Sequence, residues 1–151
     1  MTGAPIRVSR VVAASSSRVW EELRHIDRHV LWMADAESIE FTSSQHDGVG
    51  TSFRCRTKVG PIVLTDVMEI TSWIDGSTMG VTHKGIVTGE GVFTLHDVGP
   101  DTCEIEWRET LMFPWWALGT LGAYVARPVL ALIWRKNLRQ LEELLTREHG
   151  A

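Results

Sequence analysis

The most apolar stretch of this chain, FPWWALGTLGAYVARPVLALIW at positions 113–134, limits the folds that are open to it. It is 22 residues long and carries one charge, Arg127. A membrane-spanning helix needs about 20 apolar residues, but an arginine near the middle of such a helix costs about 2.5–3.5 kcal/mol. The stretch also continues without a break into an amphipathic segment, whose apolar stripe consists of Trp134, Leu138, Leu141 and Leu145. These features predict one long helix packed on a soluble domain, and no transmembrane span.

The composition fits one globular domain over residues 1–151. The net charge is −4 and no basic run is longer than Arg135-Lys136, so the sequence predicts no nucleic-acid partner. The first twenty residues contain arginines but lack the apolar core of a secretory signal, which predicts a cytoplasmic protein. Cys55 and Cys103 are too few for a disulfide framework, and we expect two reduced, half-buried thiols.

Strand-like segments fill most of the chain before this stretch. In TSFRCRTKV (51–59) and TCEIEWRETLMF (102–113), apolar and polar residues alternate, and IRVSRVV (6–12) is β-branched and partly alternating. Such alternation is typical of a sheet with one dry face and one wet face. Short connections rich in glycine and aspartate separate the segments, and this favours antiparallel neighbours.

Two regions have helical rather than strand patterns. In the first, Ser15 or Ser16 can cap a helix that carries Val19, Leu23 and Ile26 on one face, and a second short helix over 28–34 is expected to start at Asp27. In the second region, a helix can begin at Pro114 and continue until Gly150, with a kink at Pro128.

Five stretches, in order along the chain, resemble the SRPBCC superfamily. That superfamily includes START-like lipid-binding domains, the birch-pollen-allergen fold and polyketide cyclase/dehydrase-like bacterial proteins. The stretches are VVAASSSRVWEEL (11–23), HVLWMADAESIEF (29–41), GVGTSFRC (48–55), PDTCEIEWRETL (100–111) and RPVLALIWRKNLRQLEELL (127–145). Together they extend over essentially the whole chain.

The resemblance implies an α+β helix-grip fold. In this fold a curved antiparallel sheet of about seven strands wraps around a long C-terminal helix, and two short helices lie between strands 1 and 2. The resemblance also implies a cavity between the sheet and the helix. It implies no single activity, because the superfamily holds carriers, hormone receptors, chaperones and cyclases.

The dry face of the sheet supplies candidates for the wall of such a cavity. From the strands these are Phe53, Cys55, Phe93, Leu95, Ile105, Trp107 and Leu111. From the helix they are Leu118, Leu121, Val125 and Leu132. Trp32 and Met33 are expected to shape the rim, and Gly89, Gly91, Gly119 and Gly122 to leave room. A mostly apolar wall predicts a hydrophobic or aromatic ligand, such as a lipid, a polyketide or a related metabolite.

Three titratable residues share the parity of apolar neighbours and are candidate catalytic groups: Glu109, His83 and Asp66. A carboxyl group in apolar surroundings has a raised pKa and can exchange protons near neutral pH. The alternatives are structural, since Glu109 can also pair with Arg127. Arg127 can otherwise anchor an acidic ligand or extend to the rim, and Tyr124 can offer a hydroxyl group to a ligand.

Other enzyme classes find no support in the sequence. It contains no nucleophile elbow, no phosphate-binding loop and no dinucleotide fingerprint. The six histidines lack metal-ligand spacing, and His25 and His29 are interpreted as surface residues. No cofactor and no metal is therefore expected.

The sequence leaves three functions open. The first is binding of a small hydrophobic molecule. The second is a cyclase/dehydratase-type enzyme without a cofactor. The third is an interaction protein in which Trp115, Trp116 and the apolar helix start form a homodimer face or a peripheral membrane contact. Plain packing of the two tryptophans against the preceding strand is the structural alternative.

Overall fold

The computed structural model of the chain describes residues 5–117 and 119–149. Its strands are β1 (Ile6–Val12), β2 (Ala36–Phe41), β3 (Ser52–Val59), β4 (Ile62–Ile74), β5 (Thr78–Lys84), β6 (Thr88–Gly99) and β7 (Thr102–Met112). Its α-helices are α1 (Ser16–Leu23) and α2 (Gly119–His149), and 3₁₀ helices occupy Ile26–Leu31 and Trp115–Ala117.

The seven strands form one antiparallel sheet in the order β1-β7-β6-β5-β4-β3-β2. Each strand from β2 to β7 lies beside its neighbour in sequence, as short turns require, and β1 closes the far edge against β7. Irregularities in β2, β4 and β6 interrupt the pairing and bend the sheet. The predicted fold class is therefore confirmed: a curved antiparallel sheet, two short helices after the first strand and a long C-terminal helix.

The short helices differ in detail from the expectation. Ser15 is the cap of α1, and its Oγ accepts a hydrogen bond from the backbone N–H of Arg18 at 3.2 Å. The second helix is a 3₁₀ helix that begins at Ile26, one residue before the predicted start at Asp27, and ends at Leu31. The C-terminal helix does not run unbroken from Pro114, because a 3₁₀ turn intervenes and Gly119 adopts a left-handed φ of 50°.

The long helix α2 packs chiefly against β1 and β7. The predicted stripe of Trp134, Leu138, Leu141 and Leu145 is buried against the sheet. The Trp134 ring stacks on that of Trp107 at a centroid distance of 4.9 Å. On the same half of α2, the Glu142 carboxylate accepts two hydrogen bonds from the Arg10 guanidinium of β1, at 2.9 and 3.0 Å. The second half of α2 is thus fastened to the sheet by apolar packing and by an ion pair.

Two sequence interpretations of single residues are wrong. His29 is buried, not on the surface, because its Nε2–H donates to the Leu23 carbonyl at 2.7 Å and its ring packs beside Trp32. Burial lowers the pKa of His29 to about 4. Cys55 and Cys103 are free thiols, as expected, but both are fully rather than half buried.

Candidate functional site

The concave face of the sheet carries the predicted apolar strand residues. Six of them are at most 6% exposed, namely Phe53, Cys55, Phe93, Leu95, Ile105 and Trp107, while Leu111 is partly buried. Strand parity explains this placement, since the side chains of alternate residues point to the same face of a sheet.

Burial on this face changes from one end of the sheet to the other. Near the β6–β7 turn, Cys103 and Ile105 are 0% exposed beneath the second half of α2. At the opposite end, the inward-facing Leu64, Met68 and Leu111 are only partly buried. The first half of α2 therefore leaves more room above the sheet than the second half does.

Three ionisable side chains lie at this more open end, and we call them the acid–histidine cluster: Asp66 on β4, His83 on β5 and Glu109 on β7. Their exposed fractions are 6%, 8% and 8%. His83 Nε2 lies 3.5 Å from Glu109 Oε1, which is an ion-pair distance rather than that of a short hydrogen bond. The indole N–H of Trp107 donates to the same carboxylate oxygen at 3.2 Å. The structure thus brings together all three residues that alternation placed on the dry face.

A glycine of β6, Gly91, makes this meeting sterically feasible. Strand β6 lies between β5 and β7, and its Gly89 and Gly91 oppose His83 and Glu109 in the register. A Cβ atom at Gly91 would lie 2.7 Å from Glu109 Oε1, closer than real contacts of this kind. The missing side chain at Gly91 therefore gives Glu109 room to lie across β6 toward His83.

The cluster residues titrate abnormally. Burial raises the pKa of Asp66, although the charge of His83 and a backbone hydrogen bond from Ile86 oppose the shift. Burial alone would lower the pKa of His83, but the close contact and charge of Glu109, together with the charge of Asp66, outweigh it and raise the pKa. A carboxyl group and an imidazole that both hold protons more tightly than usual can exchange protons with a bound molecule near neutral pH.

Two polar atoms of the cluster have no hydrogen-bond partner among the described residues: Asp66 Oδ1 and His83 Nε2. The indole nitrogen of Trp32, which is 0% exposed, is in the same state. Buried polar atoms usually have partners, because an unpaired one costs about 1–3 kcal/mol. These atoms are therefore the groups of the concave face that a bound molecule could satisfy.

Two polar residues next to the cluster, Asn137 and Asp35, were not predicted from the sequence. Asn137 on α2 is 0% exposed, and its Nδ2 donates to Asp35 Oδ1 at 2.7 Å while its Oδ1 accepts from the Ala34 N–H at 2.9 Å. Burial raises the pKa of Asp35, the hydrogen bond from Asn137 opposes this, and the charge of Glu109 adds to it. The charges of Asp35, Asp66 and Glu109 also act on Cys55, where burial chiefly raises the thiol pKa to about 11. The sequence did contain one indication that Asn137 is buried, because Asn137 lies three residues after Trp134 and so on the same stripe of the helix.

The expected rim residues lie deeper than predicted. Trp32 is completely buried, because its ring packs edge-on against Phe93 and Trp107 at centroid distances of 6.0 and 6.3 Å. It belongs to the floor of the concave face and not to a rim. Met33 is partly buried against the same core.

The prediction that residues of α2 line the cavity wall is wrong for three of the four residues named. Leu121, Val125 and Leu132 are 59%, 63% and 66% exposed, and the helical period puts them on the side of α2 opposite the buried stripe of Trp134. The segment is apolar all around, so apolar character alone did not identify the inner face. Leu118 lies outside the described residues.

Arg127 and Tyr124 also lie away from the acid–histidine cluster. The Arg127 guanidinium donates to the Pro5 carbonyl at 3.2 Å and sits 5.6 Å from the Tyr124 ring centroid, so the expected Glu109–Arg127 pair does not form. Arg127 and Tyr124 line an open groove of about 330 Å³ between β1 and α2. Its other lining residues are Ile6, Arg7, Pro128, Ala131 and Arg135. Tyr124 is 65% exposed there.

One group of side chains meets the spacing of metal ligands, although the sequence suggested none. The ligand atoms of His96, Glu104 and Glu106 lie within 4.8 Å of one another on the convex face of the sheet. Arg7 already pairs with Glu106 at 2.7 Å, and His96 is exposed. Exposed groups of this kind are common without an ion, and the trio is remote from the concave face.

Within the described residues, no helix is both long and apolar enough to cross a membrane.

No family model and no curated protein sequence matches the chain. Solved structures do resemble it. The protein TTHA0849 from Thermus thermophilus superposes with a TM-score of 0.80 at 17% identity, over 96% of this chain and 99% of that one. The Zhui aromatase/cyclase from Streptomyces sp. R1128 gives 0.75 at 15% identity, over 95% and 94%. Ara h 8.0201 gives 0.69 at 10% identity, over 95% and 98%.

These likenesses extend over nearly the full length of each protein, and at such low identity they concern the fold. They agree with the strand order, with the two short helices after β1 and with the long C-terminal helix against the sheet. The chain therefore has a helix-grip fold.

Proposed function

We propose that this protein binds a small hydrophobic or aromatic molecule between the concave face of the sheet and the first half of α2. One observation carries the proposal: Asp66 Oδ1 is buried without a hydrogen-bond partner among the described residues, and His83 Nε2 has only a 3.5 Å ion-pair contact with Glu109, in a surface made mostly of apolar side chains. A ligand with an apolar body and one or two polar groups complements such a surface. The two reduced cysteines support a cytoplasmic setting for this binding.

Native mass spectrometry of the freshly purified protein, followed by solvent extraction, tests this proposal. A discrete bound mass with an apolar skeleton is the expected result. Purification without any bound molecule, together with no saturable binding of aromatic or lipid probes, would contradict it.

A matched pair of variants tests the place of binding. Glu109→Gln on the concave side of β7 is expected to weaken binding about tenfold, because it removes the charge that raises the pKa of His83, one of the two groups proposed to contact the ligand. Glu104→Gln on the convex side of the same strand is the control and is expected to leave affinity unchanged. Equal affinities in both variants would place the ligand elsewhere.

A second candidate is a cyclase or dehydratase reaction on a polyketide-like substrate. It is favoured by the paired His83 and Glu109 beside Asp66, since the raised pKa values of His83 and Asp66 suit proton transfer. Two of the similar structures are described as aromatase/cyclases, the Zhui protein and the di-domain StfQ. In such a reaction His83 would accept a proton from a carbon beside a carbonyl group, and a protonated Asp66 would donate one to a departing hydroxyl group, which leaves as water.

Product analysis distinguishes this candidate from simple binding. The protein would be incubated with a poly-β-ketone, and the products followed by mass spectrometry. Turnover that disappears in both His83→Gln and Asp66→Asn supports the enzyme. Tight binding without turnover contradicts the enzyme and supports a ligand-binding protein.

A further inference from the structure

The outer face of the protein around the start of α2 is unusually apolar. We call this set the outer stripe: Trp115, Trp116, Leu121, Tyr124, Val125, Val129 and Leu132. Each of the seven side chains is between 51% and 86% exposed, with Trp115 the most exposed. A contiguous run of this kind on a globular protein usually marks a surface that something covers. It lies on the far side of α2 from the acid–histidine cluster, so its role does not depend on the proposed ligand site.

The charges along the outer stripe are positive up to Arg139, and the exposed Glu143 follows one turn later. Residues 113–141 contain four cations, Arg127, Arg135, Lys136 and Arg139, and none of the 19 acidic residues of the chain. The helical period puts Arg135, Lys136 and Arg139 in line with the stripe. None of the four makes an ion pair with any residue in the described ranges. Arg127 and Arg135 also line the groove between β1 and α2, where the third arginine, Arg7, is already paired with Glu106.

Further apolar side chains are exposed at the same end of the sheet. In the register, the β3–β4 turn, the β5–β6 connection and the end of β7 lie together. Ile62 at the first turn is 59% exposed and Ile86 at the second is 50% exposed. The most exposed tryptophans follow β7 directly. This end is also the less densely packed end of the concave face.

We propose that the outer stripe lies on the surface of an anionic membrane. Tryptophan and tyrosine favour the boundary between headgroups and acyl chains, and leucine and valine favour the region beneath it. Arginine and lysine residues without an ion pair along the same face meet anionic headgroups, and Arg127 and Arg135 in the groove fit a lipid phosphate. The helix lies along this surface and does not cross it.

Charge argues against a second copy of the chain as the occupant. A two-fold symmetric contact places a patch against itself. Here that contact would bring Arg135, Lys136 and Arg139 of each copy near those of the other. Of the two acidic residues that follow, Glu142 is paired with Arg10, which leaves Glu143 against three cations. Like charges across an interface oppose association. An anionic lipid surface supplies the missing negative charge.

Co-sedimentation with vesicles tests this proposal. The full chain is expected to pellet with vesicles of phosphatidylcholine and phosphatidylglycerol, to stay in solution with phosphatidylcholine alone, and to be released by salt. The variant R135Q/K136Q is expected to bind about 20- to 30-fold more weakly, since each cation contributes about fivefold near an anionic surface.

The variant W115S/W116S tests the apolar part, and because both residues are exposed it is expected to fold normally. We expect it to lose binding to the anionic vesicles. Its control is I74S/V98S, which removes two similarly exposed apolar side chains at the opposite end of the sheet and should bind like the wild type. Pelleting that is absent in the wild type, or is the same in W115S/W116S, would overturn the proposal. So would a dimer in sedimentation equilibrium that W115S/W116S dissociates, since the stripe would then belong to a second copy.

Discussion

His83 and Glu109 meet across a strand that lies between them. Their strands, β5 and β7, are both paired with β6, yet His83 Nε2 is 3.5 Å from Glu109 Oε1. The contact depends on glycine at 91 of β6, because a Cβ there would lie 2.7 Å from Glu109 Oε1. The electrostatics of the concave face therefore depend on a residue that carries no charge.

Gly91→Ala is expected to separate the pair. Its Cβ would lie 2.7 Å from Glu109 Oε1 and 2.8 Å from Glu109 Cγ, so the carboxylate must move. We expect a loss of about 1–3 kcal/mol in the free energy of unfolding, as is typical of overpacking, and a lower pKa of His83. Urea unfolding and NMR titration of His83 measure the two effects. Gly99→Ala in the same strand is the control, since its Cβ would meet nothing closer than 3.5 Å. An unchanged His83 titration in Gly91→Ala would show that the glycine does not position Glu109.

His83→Gln is expected to cost most stability at low pH. The pKa of His83 is raised in the folded protein, so its contribution is fully present below 6.5, its value in the unfolded chain, and is lost as pH rises through the folded pKa. The difference in unfolding free energy between wild type and variant should therefore shrink from pH 6 toward alkaline pH. Urea denaturation across this range measures it. A difference that grows with pH would mean that burial, and not Glu109, controls the imidazole.

The pKa of His29 is shifted in the opposite direction to that of His83, and this shift makes the protein less stable in acid. Its pKa is lowered to about 4, so the unfolded chain takes up a proton below pH 6.5 while the folded one does not. Stability should fall as pH drops from 6.5 to 4, by up to about 3 kcal/mol from this residue. His29→Gln should remove that part of the slope, whatever its cost at neutral pH. The exposed neighbour variant His25→Gln should keep the slope.

Asn137→Ala is expected to loosen α2 from the segment before β2. It removes the hydrogen bonds to Asp35 and Ala34 and leaves the half-buried Asp35 carboxyl without its amide donor. Loss of a buried bridge with two partners predicts about 2–4 kcal/mol lower unfolding free energy. Chemical denaturation compares it with Glu143→Ala, an exposed site on the same helix. Equal stability of the two variants would show that apolar packing alone holds the helix.

The inward direction of the cluster was predictable because strand parity is rigid. Once Trp107 and Leu111 were assigned to the dry face, Glu109 had to share it, and the same logic applied to His83 and Asp66. The glycines at 89 and 91 shared the parity of Phe93 in the same way. Whether these residues would touch across β6 was not predictable, since it depends on the register between strands, which alternation does not contain.

The inner face of α2 was predictable only in the part of the helix where one face is charged and the opposite face is apolar. In its second half, charged residues mark the outer face and the stripe of Trp134 was assigned to the core. In its first half, leucine and valine occur on every side, so Leu121 and Val125 were wrongly placed in the wall. The outer stripe is the physical cause of that error, because a surface that remains apolar violates the rule on which such predictions rest.

Pro128 has a consequence for how the protein moves. It lies inside α2, has no backbone N–H and so leaves the carbonyl of Tyr124 without its helical partner. The residues after it are clamped by Trp134 and Leu138, whereas those before it have little dense packing beneath them. The helix should therefore exchange its amide hydrogens in two kinetic classes that divide near this proline. The faster class would be a hinged flap over the acid–histidine cluster, and its opening rate would then limit how quickly anything reaches the interior.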